Sequence, residues 1–151
     1  MTPLFKKLNL KEQSEIVVIN APDSFEPELD GLSDVAIQRS LAAAGRVTFS
    51  LCFVTTQEEI NQIVDQLVAK IEGDVTTWFA YPKGSSKKYK SEINRDKGWG
   101  ILGQHGFEPV RQVAIDQDWS ALRFRRVEFI KSMRRSQKMA LSQQGKAKTQ
   151  K

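Results

Sequence analysis

The stretch RVTFSLCFVTTQEEINQIVDQLVAKI, residues 46–71, decides the fold class of this chain. Its first nine residues, Arg46–Val54, are almost continuously apolar, which is typical of a strand covered on both faces in a parallel sheet. Thr56 and Glu59 follow in a capping-box pattern that predicts the start of a helix. Apolar residues then recur on a 3.6-residue period at positions 60, 63, 64, 67, 68 and 71, and Gly73 is predicted to end the helix.

Further strands on either side of this stretch extend the pattern. Ile16–Ile19 is an apolar run that predicts the first strand, and Val35–Ile37 predicts a second, short one. Val75–Tyr81 predicts a strand directly after the helix. A strand, helix and strand of this length form a crossover unit, which makes the two strands parallel neighbours.

The C-terminal part of the body predicts a different arrangement. Ser91–Leu102 is predicted to be a helix, and Val110–Ile115 and Leu122–Phe129 are predicted to pair as an antiparallel hairpin. We therefore expect an α/β fold with a mostly parallel sheet, flanking helices and a C-terminal antiparallel hairpin.

Charge is distributed unevenly along the 151 residues. Residues 1–80 hold 6 Lys and Arg against 12 Asp and Glu, whereas residues 81–151 hold 17 against 6. The last 21 residues have 7 basic side chains and no acidic one, and the remaining 130 residues sum to −2. We expect a single domain over residues 1–130 and a basic, disordered tail over residues 131–151, because low hydrophobicity with one-sided charge disfavours folding.

The basic tail predicts weak attraction to polyanions. Salt-sensitive, sequence-independent binding of nucleic acid is the expected form, because the tail lacks aromatic residues for base stacking. The side chains predicted to make these contacts are Lys131, Arg134, Arg135, Lys138, Lys146, Lys148 and Lys151.

Several classes of protein are disfavoured by composition. No apolar run approaches the roughly 20 residues of a membrane-spanning helix, and no signal peptide is recognised, so we expect a cytoplasmic protein. Cys52 lies in an apolar strand, which predicts an inert buried thiol. One Cys and the lone His105 exclude an ordinary Cys/His zinc site, and no metal is predicted.

The motifs resemble those of a bacterial family of small domains of unknown function. The resemblance is carried by the entry Phe5–Leu10, the Asn20-Ala21-Pro22 turn after the first strand, Trp78–Lys83 and Trp119–Phe124, and it covers roughly residues 5–127. It implies a Rossmann-like α/β domain and no established activity.

The strand plan is also similar to the fold of S-adenosylmethionine-dependent methyltransferases, which includes a closing hairpin. Those enzymes place a glycine-rich turn after the first strand so that backbone approaches the cofactor. Here that turn is Asn20-Ala21-Pro22-Asp23, with no glycine before Gly31, and Pro22 has no N–H to donate. No cofactor is predicted from these residues.

Ligands of open parallel sheets bind outside the carboxyl ends of the strands. Loops at residues 20–23, 55–56 and 82–88 meet that description, and the last combines glycine, serines and lysines that suit a phosphate, or form only a solvated loop. Trp119 is a candidate cap for a ligand, although packing is the more common role of such a residue. The candidate ligand-binding residues are Asn20, Thr55, Lys83, Gly84, Ser85, Ser86, Trp119 and Arg123.

Functional expectations follow from these sites. No nucleophile motif accompanies His105, and Asp116 and Asp118 suit a turn better than paired catalysis, so no catalytic residue is predicted. The leading hypothesis is a non-enzymatic domain that binds a protein partner or a small anionic ligand. The alternatives are a small-molecule transferase of methyltransferase-like fold, and weak non-specific nucleic-acid binding through the tail.

Overall fold

A computed structural model describes residues 1–130 of the chain. The predicted basic tail, with its polyanion-binding residues 131–151, lies outside the described residues.

The described residues form one six-stranded sheet in the order β2-β1-β3-β4-β6-β5. The first four strands in this order are parallel, β6 is antiparallel to β4, and β5 is antiparallel to β6. The predicted fold class, a mostly parallel α/β sheet with a C-terminal antiparallel pair, is therefore confirmed. The elements are α1 (Pro3–Lys7), β1 (Glu15–Ile19), α2 (Glu26–Asp30), β2 (Ala36–Gln38), β3 (Phe49–Phe53), α3 (Gln57–Val68), β4 (Thr76–Pro82), α4 (Gly100–Gln104), β5 (Phe107–Ala114) and β6 (Trp119–Arg126).

Helices cover both faces of the sheet. On one face the apolar stripe of α3 packs with Cys52, Phe79 and Phe124. On the other face α1 and α2 bury Phe5 and Leu29. Because consecutive side chains of a strand point to opposite faces, both cores need β3 and β4 to be apolar throughout, and every residue of the two strands is buried.

Helix α3 begins as its sequence predicts. The Thr56 hydroxyl accepts the Glu59 N–H, and the Glu59 carboxylate accepts the Thr56 N–H, which completes a capping box. The helix ends at Val68, so the predicted end at Gly73 is wrong; Gly73 lies in the following turn with φ +73°. The buried stripe consists of Ile60, Ile63, Val64 and Leu67.

The predicted helix over Ser91–Leu102 is wrong for most of its length. Only Gly100–Gln104 is helical, while Asn94 and Lys97 form an isolated antiparallel bridge. Gly98 interrupts the predicted helix, because its φ of +111° lies outside the helical region, and close packing keeps glycine there, since a Cβ would lie 2.4 Å from Ile93 Cγ2. The hairpin is confirmed, with strands that each begin three residues before the predicted starts.

An N-terminal helix that the sequence analysis did not predict anchors the middle of the sheet. The Thr2 hydroxyl caps α1, and Phe5 on this helix is fully buried. Trp78 of β4 donates its indole N–H to the Leu8 carbonyl at 2.8 Å, so the chain after α1 is held against the central strands. Trp78 is itself fully buried, as expected for a core residue.

None of the helices in residues 1–130 has the length and apolar character that crossing a membrane requires.

Replacing Leu67 by Asp is expected to lower the free energy of unfolding by about 4 kcal/mol, because it removes a buried side chain and buries a charge. Leu67 is 1% exposed. Urea denaturation measures the change, and Gln66→Asp, at the exposed neighbouring position, is the matched control, expected within about 0.5 kcal/mol of the parent. Equal stability of the two variants would contradict the assignment of the buried stripe.

Candidate functional site

A cleft opens where the direction of strand addition reverses. The chain passes from β1 to β2 toward one edge of the sheet, and from β3 to β4 toward the other. The reversal therefore lies between the carboxyl ends of β1 and β3, which is where open α/β sheets bind ligands. The cleft has a volume of about 390 Å³ and is lined by Asn20, Ala21, Pro22, Asp23, Ser24, Phe53, Thr55, Glu59, Lys88, Tyr89 and Trp119.

The turn after β1 forms one wall. Asn20 has φ +58°, which is the left-handed conformation that glycine adopts without strain and that Asn tolerates better than most residues. From the sequence alone, the lack of glycine in this turn argues against a tight cofactor-binding turn. The backbone of Asn20 nevertheless has the left-handed conformation expected of a glycine. Ala21 and Pro22 follow it and also line the wall.

The turn between β3 and α3 forms the facing wall and is held by one carboxylate. Glu59 Oε1 accepts the backbone N–H of Thr55 at 2.8 Å and that of Thr56 at 3.1 Å. The Thr55 hydroxyl donates to the same oxygen at 3.0 Å. Glu92 adds a second carboxylate at this helix end by accepting the Gln57 N–H at 3.1 Å. Glu59 is therefore a positioning residue, and the start of α3 already has two anionic partners.

Aromatic side chains provide the apolar part of the cleft. The ring of Trp119 lies 5.1 Å from Phe53 and 4.9 Å from Tyr89, measured between centroids. Lys88 Nζ lies 5.4 Å from the centroid of the Tyr89 ring, so a cation borders this aromatic group. Trp119 is 4% exposed, and its Nε1 has no hydrogen-bond partner within the described chain. Trp119 therefore both packs in the core and lines the cleft.

The loop after β4 lies at the same edge of the sheet, as predicted from the parallel strands. The Thr55 carbonyl accepts the Glu92 N–H at 2.9 Å, which joins this loop to the start of α3. Ser86 is committed to the loop itself: its hydroxyl donates to Asp118 Oδ1 at 2.8 Å and accepts the Lys88 and Tyr89 N–H groups. The loop therefore has an internal structure.

The candidate residues separate into two groups. Asn20, Thr55 and Trp119 line the cleft. Lys83, Gly84, Ser85, Ser86 and Arg123 do not appear in its wall, and their role in binding stays a prediction. Asp23 and Lys88 lie in the loops 20–23 and 82–88 that the sequence places at this edge, but they were not among the named candidates. Glu59 and Tyr89 were missed; the capping-box pattern located Glu59 but gave no sign that it faces a cleft.

The remaining polar candidates have structural surroundings. Asp116 Oδ1 accepts the N–H groups of Asp118 and Trp119, both at 2.8 Å, so it serves the hairpin turn. Burial raises the pKa of the Cys52 thiol to about 12, which keeps it protonated and unreactive at neutral pH. Across residues 1–130, no group of three His, Cys, Asp or Glu side chains is arranged to hold a metal ion.

Solved structures with a similar fold include several methyltransferases. A SAM-dependent methyltransferase from Aquifex aeolicus aligns with 82% of this chain and 88% of its own, at a TM-score of 0.54 and 12% identity. Magnesium protoporphyrin IX methyltransferase from Synechocystis aligns with 82% of this chain and 74% of its own, at a TM-score of 0.48 and 14% identity. The N-methyltransferase NodS from Bradyrhizobium japonicum aligns with 82% of this chain and 92% of its own, at a TM-score of 0.47 and 12% identity. Of these three, the Aquifex structure has a TM-score above 0.5, and it shows a shared Rossmann-like methyltransferase fold.

No protein-family model matches the chain, and no curated protein matches it. The resemblance to a bacterial family of unknown function therefore stays a prediction.

The expectation of a non-enzymatic domain is contradicted by the structural comparison. The Aquifex structure that shares this fold is described as a methyltransferase, which favours the transferase alternative over the leading hypothesis. The physical origin of the error is the turn after β1. This turn has no glycine, which argued against a methyltransferase, but Asn20 adopts the left-handed conformation that glycine would supply.

Replacing Glu59 by Ala is expected to lower the free energy of unfolding by about 1.5 kcal/mol, because two backbone N–H groups and two hydroxyls lose their acceptor. The adjacent Glu58 accepts from Gln62 Nε2 at an exposed position. Glu58→Ala is thus a control with the same loss of charge in the same helical turn, expected to cost no more than about 0.5 kcal/mol. Thermal denaturation of both variants measures the difference, and equal losses would show that the carboxylate does not hold the turn.

Proposed function

We propose that the chain is a small-molecule transferase of methyltransferase-like fold, and that its group donor binds in the cleft between β1 and β3. The observation that carries the proposal is the position of the cleft at the reversal of strand order, bordered by a left-handed turn after β1. The fold shared with the Aquifex methyltransferase supports the class of reaction.

The chemistry of the cleft fits a donor such as S-adenosylmethionine. The rings of Phe53, Tyr89 and Trp119 offer an apolar surface for a planar base. The exposed carboxylate of Asp23 is an acceptor for hydroxyl or ammonium groups, and Lys88 supplies a cation for a carboxylate. The volume of about 390 Å³ lies within the range of small-molecule sites.

The residues of the chain would act by binding and orientation. When bound, such a donor supplies an activated methyl group for transfer to a nucleophile. Asn20 holds the turn that lets backbone approach the donor, and Glu59 holds the opposite wall at Thr55 and Thr56. Because the Glu59 carboxylate already accepts four hydrogen bonds, we assign it to positioning and not to proton transfer.

The site of action and further partners are also proposals. We propose a cytoplasmic enzyme, a location for which the buried, unpaired Cys52 is suitable. Binding of nucleic acid through residues 131–151 stays a prediction from their charge.

Isothermal titration of the full chain with S-adenosylmethionine and with S-adenosylhomocysteine tests the proposal. We expect a dissociation constant below about 1 mM, the usual upper range for enzyme substrates. Asn20→Ala is expected to weaken binding about tenfold, because the left-handed conformation strains Ala by roughly 1–2 kcal/mol and the turn is then expected to adopt another conformation. Asn20→Gly keeps the turn and is expected to bind within about threefold of the parent.

Asn9 provides a matched control for this series. It also has a positive φ, +65°, but it lies in the turn after α1 and does not line the cleft. Asn9→Ala therefore introduces the same backbone strain and is expected to leave the affinity unchanged. A folded parent protein that binds neither ligand at millimolar concentration would refute the proposal.

A further inference from the structure

Three arginine side chains lie on one face of the hairpin formed by β5 and β6, and we propose that they bind a phosphate group. Arg111 of β5 is directly opposite Arg123 of β6 in the strand register. Arg125 follows two residues later on β6, and therefore projects from the same face as Arg123. We refer to Arg111, Arg123 and Arg125 as the arginine patch.

The charge of the patch is only partly neutralised. Arg125 is held by Asp74 in a bidentate ion pair, in which its Nε donates to Oδ1 at 2.9 Å and its Nη2 donates to Oδ2, and Glu108 lies opposite Arg125 in the ladder. The positive charge open to a phosphate therefore belongs to Arg111 and Arg123. Within residues 1–130, the ion pairs do not include Arg111 or Arg123. Like charges directly opposite each other destabilise an antiparallel pair. A bound anion would offset the repulsion between Arg111 and Arg123, so anion binding is expected to stabilise the hairpin.

Arg123 has the features of an anion ligand. Its side chain is half-buried, and its Nε is fully buried without a hydrogen-bond partner in the described part of the chain. Burial, together with the neighbouring charges of Arg125 and Arg111, lowers the pKa of the guanidinium below its ordinary value, although the nearby Asp74 carboxylate acts in the opposite direction. A guanidinium remains charged in proteins, so its desolvated N–H groups need an acceptor. The two oxygens of a phosphate match the planar fork of Arg better than a single carbonyl does.

The patch is separate from the cleft. Trp119, at the start of β6, lines the cleft, and Arg123 lies four residues farther along the same strand. At about 3.3 Å per residue this separation is roughly 13 Å. The proposal for the patch therefore does not depend on the proposed transferase activity, and the binding test of one site can fail while that of the other succeeds.

Titration of the full chain with inorganic pyrophosphate, followed by amide chemical shifts, tests the proposal. We expect shifts at Arg111 and Arg123, and a loss of affinity of about tenfold for Arg111→Gln and for Arg123→Gln, because each removes a charge-assisted hydrogen bond. Arg123→Lys keeps the charge without the planar fork and is expected to show an intermediate loss. Arg111 is exposed, so its variant keeps the test valid if Arg123→Gln fails to fold.

Arg126 is the matched control. It lies on the same strand, but its guanidinium stacks 5.3 Å from the Phe107 ring centroid, and the strand alternation places it on the opposite face. Arg126→Gln removes the same charge and is expected to change the affinity by less than twofold. No binding of pyrophosphate to the parent chain, or an equal loss in Arg126→Gln, would overturn the proposal.

A second titration identifies the source of the phosphate. A mixed-sequence single-stranded oligonucleotide is measured at several salt concentrations, with the parent chain and with Arg111→Gln. If the phosphate belongs to a nucleic-acid backbone, the slope of the logarithm of the binding constant against the logarithm of the salt concentration becomes shallower in the variant, by the amount expected for about one lost phosphate contact. If the salt dependence is unchanged while pyrophosphate binding is lost, the ligand is a phosphorylated small molecule.

Discussion

Burial of β3 on both faces is the constraint on which the rest of the structure depends. All five residues of Phe49–Phe53 are buried, so the strand needs a hydrogen-bonded neighbour on each side and a packed layer above and below, and both of its neighbours, β1 and β4, are parallel to it. Parallel neighbours require crossovers; α2, between β1 and β2, covers one face of the sheet, and α3, between β3 and β4, covers the other. The reversal of strand order between β1 and β3, and with it the cleft, follows from the burial of this one strand.

The central burial also has a cost. Ser50 and Thr77 are opposite each other on β3 and β4, and both hydroxyl groups are buried without a hydrogen-bond partner in the described residues. Each unpaired buried hydroxyl costs about 1–3 kcal/mol. The surrounding aromatic packing offsets this cost; Phe79, for example, makes edge contacts with Trp99 at 5.8 Å and with Phe124 at 5.8 Å.

Local signals explain which parts of the fold the sequence predicts. The apolar runs of β1, β3 and β4 and the capping box of α3 are formed by residues close together in the chain, so the pattern is readable without tertiary contacts. The five-residue helix α1 is too short to form alone and depends on the burial of Phe5 and on the bond from Trp78 to Leu8. The segment before α4 likewise depends on contacts, since the Trp99 indole donates to the carbonyls of Asn94 and Arg95 at 2.8 and 3.1 Å.

The candidate site was harder to predict than the fold because its residues depend on backbone conformation and on distant neighbours. Topology alone brings Asn20 and Thr55 to one edge, and both do line the cleft. The left-handed backbone of Asn20 has no sequence signal as clear as glycine, and the contact of Tyr89 with Trp119 joins residues 30 positions apart.

Arg123 illustrates the limit of reading position from sequence spacing. Arg123 and Trp119 are both candidate ligand-binding residues, and in a helix their spacing of four residues would bring the two side chains together. In the extended strand β6 the same spacing moves Arg123 away from the cleft, toward Arg111 on the neighbouring strand. The element type, and not the spacing, thus decides that aromatic and guanidinium groups of one strand belong to two different surfaces. One sheet face can in this way present an apolar cleft at the carboxyl ends of its parallel strands and a cationic surface farther along the antiparallel hairpin.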